Sequence, residues 1–99
     1  MKLTISRGGG LAGVPVTTEL ASDALPADAA QALEQHVKAV VPATSPPTRS
    51  ADEMLYTVRI ESEAGTTEAH YTDSTLPEGV RELIAWADQR PERREEIGP

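Results

Sequence analysis

His36 and His70 are the only histidines in this 99-residue chain, and there is no cysteine. A zinc hydrolase needs imidazoles closely spaced with a carboxylate, as in His-Glu-x-x-His on one helix face, and neither histidine stands in such a setting. Glu68 and His70 would share a strand face, but two ligands leave a metal site incomplete, and exposed strand faces commonly carry such pairs. Without cysteine there is no thiolate nucleophile or soft ligand. No Gly-x-Ser-x-Gly elbow is present, and a triad drawn from Ser62, His70 and Asp73 has no support in spacing. Asp52 with Glu53, and Glu61 with Glu63, offer neighbouring carboxylates. General acid–base pairs require a shaped cleft that raises one pKa, and on so acidic a chain solvated carboxylates are the expectation. The residues therefore predict no catalytic group, no metal and no cofactor.

One segment asks for more than closure of a turn. Gly8-Gly9-Gly10-Leu11-Ala12-Gly13 places four glycines in six residues, and ordering glycine costs conformational entropy that a short hairpin does not require. A phosphate cradle would run into a helix N-terminus with a lysine following, whereas Val14-Pro15 leads into a strand and supplies no cation. Two readings stay open. The loop presents Leu11 to a partner that approaches its main chain closely, or Leu11 folds onto the core and the glycines only make turns. Arg7, at the root of the segment, either orients it through a carboxylate or is a solvated strand-end cation.

The elements that must position this segment follow from hydrophobic period. Leu3 and Ile5 alternate with Lys2, Thr4 and Ser6; Val14, Val16, Thr18 and Leu20 resume the alternation, so the glycine segment joins two antiparallel strands. Pro26 suits the first position of a helix, and Ala29, Ala30, Leu33, Val37, Val40 and Val41 form its apolar stripe before Pro42 ends it. A polar, proline-bearing connector, 43–50, precedes the clearest strand, in which Met54, Tyr56, Val58 and Ile60 share a face. Ala64-Gly65 turns the chain, and Ala69 and Tyr71 continue a second hairpin. Pro77 and Glu78 start a second helix with the stripe Val80, Leu83, Ile84 and Ala87; Trp86, just off it, either caps the core edge or anchors a partner. Leu25-Pro26 and Leu76-Pro77 lie 51 positions apart (76 − 25), which suggests a repeated ββα unit, although Leu-Pro is a common way into a helix. The expectation is an α+β fold of order ββαββα: one domain over residues 1–89 with a four-stranded, largely antiparallel sheet and both helices on one face. Residues 90–99 are expected as a flexible charged tail.

Nine Lys and Arg against 16 Asp and Glu leave a net charge of −7, which repels nucleic-acid backbones and anionic membrane surfaces. No long apolar run suggests a leader or a membrane span, and the absence of cysteine fits a cytoplasmic location better than a bridged secreted scaffold. With phenylalanine absent and aromatics at 3%, the core must be aliphatic.

The run Arg7-Gly8-Gly9-Gly10-Leu11-Ala12-Gly13-Val14, entered from a strand, resembles the Arg-Ser-Gly-Gly-Phe-Ala-Gly-Ile signature of emfourins, which are protein inhibitors of thermolysin-like, M4-family zinc metalloproteases. The similarity extends to the Met-Lys-Leu-Thr-Ile start and to Thr72-Asp73-Ser74-Thr75-Leu76-Pro77 leading into Val80, Leu83 and Ile84. Gly8, Leu11 and Val14 replace the signature's Ser, Phe and Ile, changes that bear on affinity and enzyme choice more than on role. The resemblance implies an inhibitor whose loop 8–14 blocks the active-site cleft, with Arg7, Gly8, Gly9, Gly10, Leu11, Ala12, Gly13 and Val14 as partner-binding residues. It implies an M4-family protease as partner and a monomer when free. The competing readings are a protein-interaction module with no protease target and, more remotely, an enzyme.

Overall fold

The computed structural model describes residues 1–9, 15–40, 54–72 and 75–97. β1 (Lys2–Gly9) and β2 (Val16–Ala21) form the first hairpin, followed by a 3-10 turn at Ser22–Ala24 and the helix α1 (Ala27–Val37). β3 (Met54–Ser62), β4 (Gly65–Thr72) and α2 (Glu78–Asp88) repeat that order, and β5 (Arg94–Ile97) follows. All five strands join one antiparallel sheet in the order β4-β3-β1-β2-β5. Among the described residues no helix is long and apolar enough to cross a membrane.

The sheet is thus five-stranded rather than four-stranded, and the extra strand comes from the charged segment expected to be a flexible tail. β5 pairs with β2 from Val16↔Ile97 to Glu19↔Arg94, and all four of its residues are exposed. Backbone pairing to the open edge of β2 is what brings it in, since no buried side chain contributes. The turn before it is clamped by Arg90, whose Nε and Nη2 donate to the two Glu92 carboxylate oxygens at 2.9 Å each.

Alternation sends Leu3, Ile5, Thr18, Leu20, Val58, Ile60, Ala69 and Tyr71 to one face of the sheet, where they meet Ala29 and Leu33 of α1 and Val80, Leu83, Ile84 and Ala87 of α2. Each fully buried Leu, Ile or Val contributes about 1.5–3 kcal/mol, so this aliphatic interface is what holds helices to sheet. The opposite face is polar: Arg59 and Glu68 are exposed there, and Lys2 Nζ reaches Glu19 Oε1 at 3.1 Å. α1 ends at Val37, four residues earlier than its apolar stripe predicts, because Lys38, Ala39 and Val40 donate to Gln35, His36 and Val37 in tight i→i−3 turns. Val40 remains buried in spite of leaving the helix; Val41 and Pro42 lie outside the described residues. The second hairpin turns at Glu63-Ala64, with Ser62 paired to Gly65, and Gly65 takes φ 133°, a conformation that only glycine adopts without strain.

Both helices span eleven residues and start 51 apart (78 − 27), and the β1–β3 ladder pairs Ser6 with Thr57, again 51 apart (57 − 6). The hairpins do not superpose on the same offset. Ile5 faces Thr18, but Ala69 faces Val58 rather than Tyr56, a slip of two residues. The repeat is therefore one of layout, not of register.

Gly79, in the first turn of α2, offers a test of how tightly the helices meet. A glycine inside a helix costs about 1 kcal/mol relative to alanine, so Gly79→Ala would ordinarily stabilise. A Cβ there would stand 2.8 Å from Ala39 Cβ, well inside van der Waals contact, and Ala39 has no flexible end to withdraw. Gly79→Ala is expected to lower the thermal midpoint by about 5–10 °C, read by circular dichroism, because overpacking of about 1–3 kcal/mol outweighs the propensity gain. A raised midpoint would mean that the turn after α1 gives way freely.

Candidate functional site

Odd-numbered residues of β1 face the helices, so Arg7 follows Leu3 and Ile5 on the core side of the sheet. It is flanked in register by Val16 of β2 and Tyr56 of β3, at the end of the sheet where β1 approaches the connection to β2. A charge in that position needs a partner, and α2 supplies one. Arg7 Nη1 donates to Asp88 Oδ2 at 3.1 Å and Nη2 to Asp88 Oδ1 at 2.6 Å, a bidentate pair between residues 81 apart in sequence. Nη2 also lies 3.4 Å from Thr18 Oγ1, which gives that buried hydroxyl a partner. The Arg7 side chain is 19% exposed and that of Asp88 is 37% exposed. The hydrogen bond to Asp88 raises the Arg7 pKa above its ordinary value, against the opposing effect of burial, so the guanidinium is charged at every accessible pH.

This settles the reading of Arg7: its charge is paired to a carboxylate, not left as a solvated strand-end cation. Asp88 itself was not singled out in the sequence. The available signal was an acidic residue at the last helical position, where the helix dipole disfavours negative charge and a cation must compensate.

The strand runs two residues further into the glycine segment than alternation predicts. Gly8 and Gly9 belong to β1 and pair with Leu55 and Met54 of β3, so the glycine run begins as strand rather than as loop. A Cβ on Gly8 would lie 3.4 Å from Pro15 Cα, an ordinary van der Waals contact, so the two roots of the connection lie side by side without requiring glycine at this position. Gly10, Leu11, Ala12, Gly13 and Val14 lie outside the described residues.

The other chemistry-bearing residues are dispersed. His70 joins Thr57 Oγ1 through Nδ1 at 3.1 Å and Glu68 Oε1 through Nε2 at 3.2 Å, on the polar face of the sheet. Ser62 Oγ bonds the Gly65 carbonyl at 3.4 Å, and His70 lies five residue steps, about 17 Å, along the strand from Gly65, so no Ser–His pair forms. Asp73, Asp52 and Glu53 lie outside the described residues, and Glu61 pairs with Arg59 at 3.5 Å on the surface. Among the described residues no three His, Asp or Glu groups converge as a metal would require. A depression between β2 and β5, about 180 Å³, is lined by Thr17, Glu19, Arg94, Glu95 and Glu96, small and polar compared with an ordinary ligand pocket. Trp86 is half-buried against the core, with the His36 ring 5.1 Å away and the Arg90 guanidinium 5.9 Å from its centroid, the arrangement of a residue that seals the core edge.

What the arrangement offers among the described residues is a hydrogen-bonded root for the connection between β1 and β2. Two strands of the sheet interior meet a glycine-bearing connection, and one strand is tied by a charge pair to a helix end. The family model described as Emfourin matches residues 5–88, which include Arg7, Gly8 and Gly9, the whole connection 10–14, and Asp88. No curated protein and no solved structure matches the chain.

Proposed function

The chain belongs to the emfourin family of protease inhibitors, and from that premise we propose that it inhibits thermolysin-like, M4-family zinc metalloproteases by lodging the segment Gly8 to Val14 in the active-site cleft. The observation that carries the reading is the family match over residues 5–88, which spans the segment, the ends of β1 and β2 that flank it, and Asp88. Glycine permits the close main-chain approach a cleft demands, and Leu11 has the size and apolarity to fill a subsite that accepts large hydrophobic side chains.

Magnitudes set a limit on what that side chain can do. Burying one leucine contributes about 1.5–3 kcal/mol, whereas nanomolar binding needs about 12 kcal/mol, so neighbouring surface must take part. A standard interface of about 800 Å² per partner is roughly an eighth of the protein's 6044 Å². The flanking strands reduce the cost of ordering the segment, since β1 up to Gly9 and β2 from Val16 are already paired in the sheet.

Titration against a thermolysin-like protease tests the proposal. The expected result is competitive inhibition, in which KM rises with inhibitor and kcat does not change. Full activity of several M4 enzymes at about a tenfold molar excess, where a binder of even micromolar strength would register at micromolar enzyme, would rule the proposal out.

A further inference from the structure

Arg7 stands where the alternation of β1 would otherwise place an apolar residue, and it is held there by a helix end that has the wrong dipole sign for an acid. Neither residue is a natural occupant of its position alone; each makes sense through the other. Bidentate geometry restrains the guanidinium in orientation as well as distance, and the Thr18 contact adds a third point. Arg7 Nε is buried and has no hydrogen-bond partner among the described residues, whereas its two terminal nitrogens reach Asp88 and Thr18. The link lies beside the core, in which Leu3, Ile5, Val58 and Leu83 are fully buried, and its contact to the core is through the buried Thr18 hydroxyl. It lies two residues before the end of β1, at the register pair Arg7↔Val16, the last pair of the β1–β2 ladder.

We propose that Asp88 is a positioning residue: through its bidentate bond to Arg7 it fixes the last pair of the β1–β2 ladder against the end of α2, and so presets the chain on either side of the protease-contacting segment. This rests on the inhibitory reading above and adds to it a residue some eighty positions away in sequence. If the bond presets the free protein, losing it lowers the fraction that is ready to bind, so association slows while dissociation from the finished complex does not.

The test is Asp88→Ala in the full chain, with two readouts. In the free protein, amide hydrogen exchange at Arg7, Gly8 and Val16 is expected to accelerate by about tenfold, while exchange at Leu83 and Ile84 of α2 stays within about twofold of the original. With a protease, the association rate is expected to fall by about tenfold at an unchanged dissociation rate. The charge exchange Arg7→Asp with Asp88→Arg restores the exchange protection, because the pair is rebuilt and the cation then sits favourably at the helix end. The proposal is overturned if exchange at Arg7 and Val16 does not change, or if every amide accelerates alike, which would make the bond a general stabiliser. The exchange readout needs no protease, so a protein that inhibits nothing would sink the inhibitory reading while the exchange data still decide whether Asp88 holds the ladder end.

Discussion

Leu11→Asp is expected to weaken inhibition of a thermolysin-like protease by about tenfold at least, and to leave the thermal midpoint of the free protein within about 2 °C of the original. The first half follows from what an apolar subsite does to a carboxylate. The substitution forfeits the burial of a leucine, about 1.5–3 kcal/mol, and adds the cost of moving a charge out of water, so a factor of ten, about 1.4 kcal/mol, is the floor of the range. Leu11→Phe restores the residue of the family signature and should bind at least as well, since it keeps an apolar side chain and enlarges it. The second half follows from the proposed position of the residue, outside the fold's interior, where substitutions change stability little. A fall of the midpoint by ten degrees or so would place Leu11 in the core and remove the proposed contact.

How much of this was readable from the sequence differs by element, and the reason is physical. The stripe Val80, Leu83, Ile84 and Ala87 was legible in full, because burial of one helix face forces a period that the residue types must obey. β3 and β4 were legible for the same reason, as Val58, Ile60, Ala69 and Tyr71 alternate with polar neighbours. β5 was not. Arg94, Glu95, Glu96 and Ile97 are all exposed, so nothing in their types records that they form a strand; the cause lies in the free backbone groups of β2, which belong to topology rather than to local pattern. The site divides in the same way. Arg7 could be picked out at the root of the glycine run, but its partner lies 81 residues away, and only the folded order that lays α2 across β1 brings the two together. The glycine run itself was legible as composition, while where strand yields to connection was not: Gly8 and Gly9 pair with β3 in spite of weak strand preference, because the neighbouring strand is long enough to meet them.

Leu33→Ala carries the largest expected effect on stability, and argues the converse of Leu11. On α1 only Ala29 and Leu33 are buried, and Ala29 brings little side chain, so Leu33 is the principal hold of that helix on the sheet. Leu33 is fully buried, and among the aromatics only Tyr71 is buried in the cluster around it, with Tyr56 and Trp86 at its edge. Among the described residues nothing large stands ready to swing into the vacated space, and the aliphatic neighbours are already buried in contacts of their own. The cost is therefore placed toward the upper part of the range for such truncations, about 3 kcal/mol or more, which for a domain of this size lowers the thermal midpoint by roughly 12–24 °C. Measured well below that midpoint, the inhibition constant should change by less than about threefold, because the protein that remains folded presents the same segment. The two leucines thus predict opposite signatures: one moves affinity and not melting, the other moves melting and not affinity. If Leu33→Ala melted within a few degrees of the original, α1 would have to be docked by Val37 and by Val40 of the turn that follows it, and the helix that carries the shorter apolar stripe would be the more loosely held of the two.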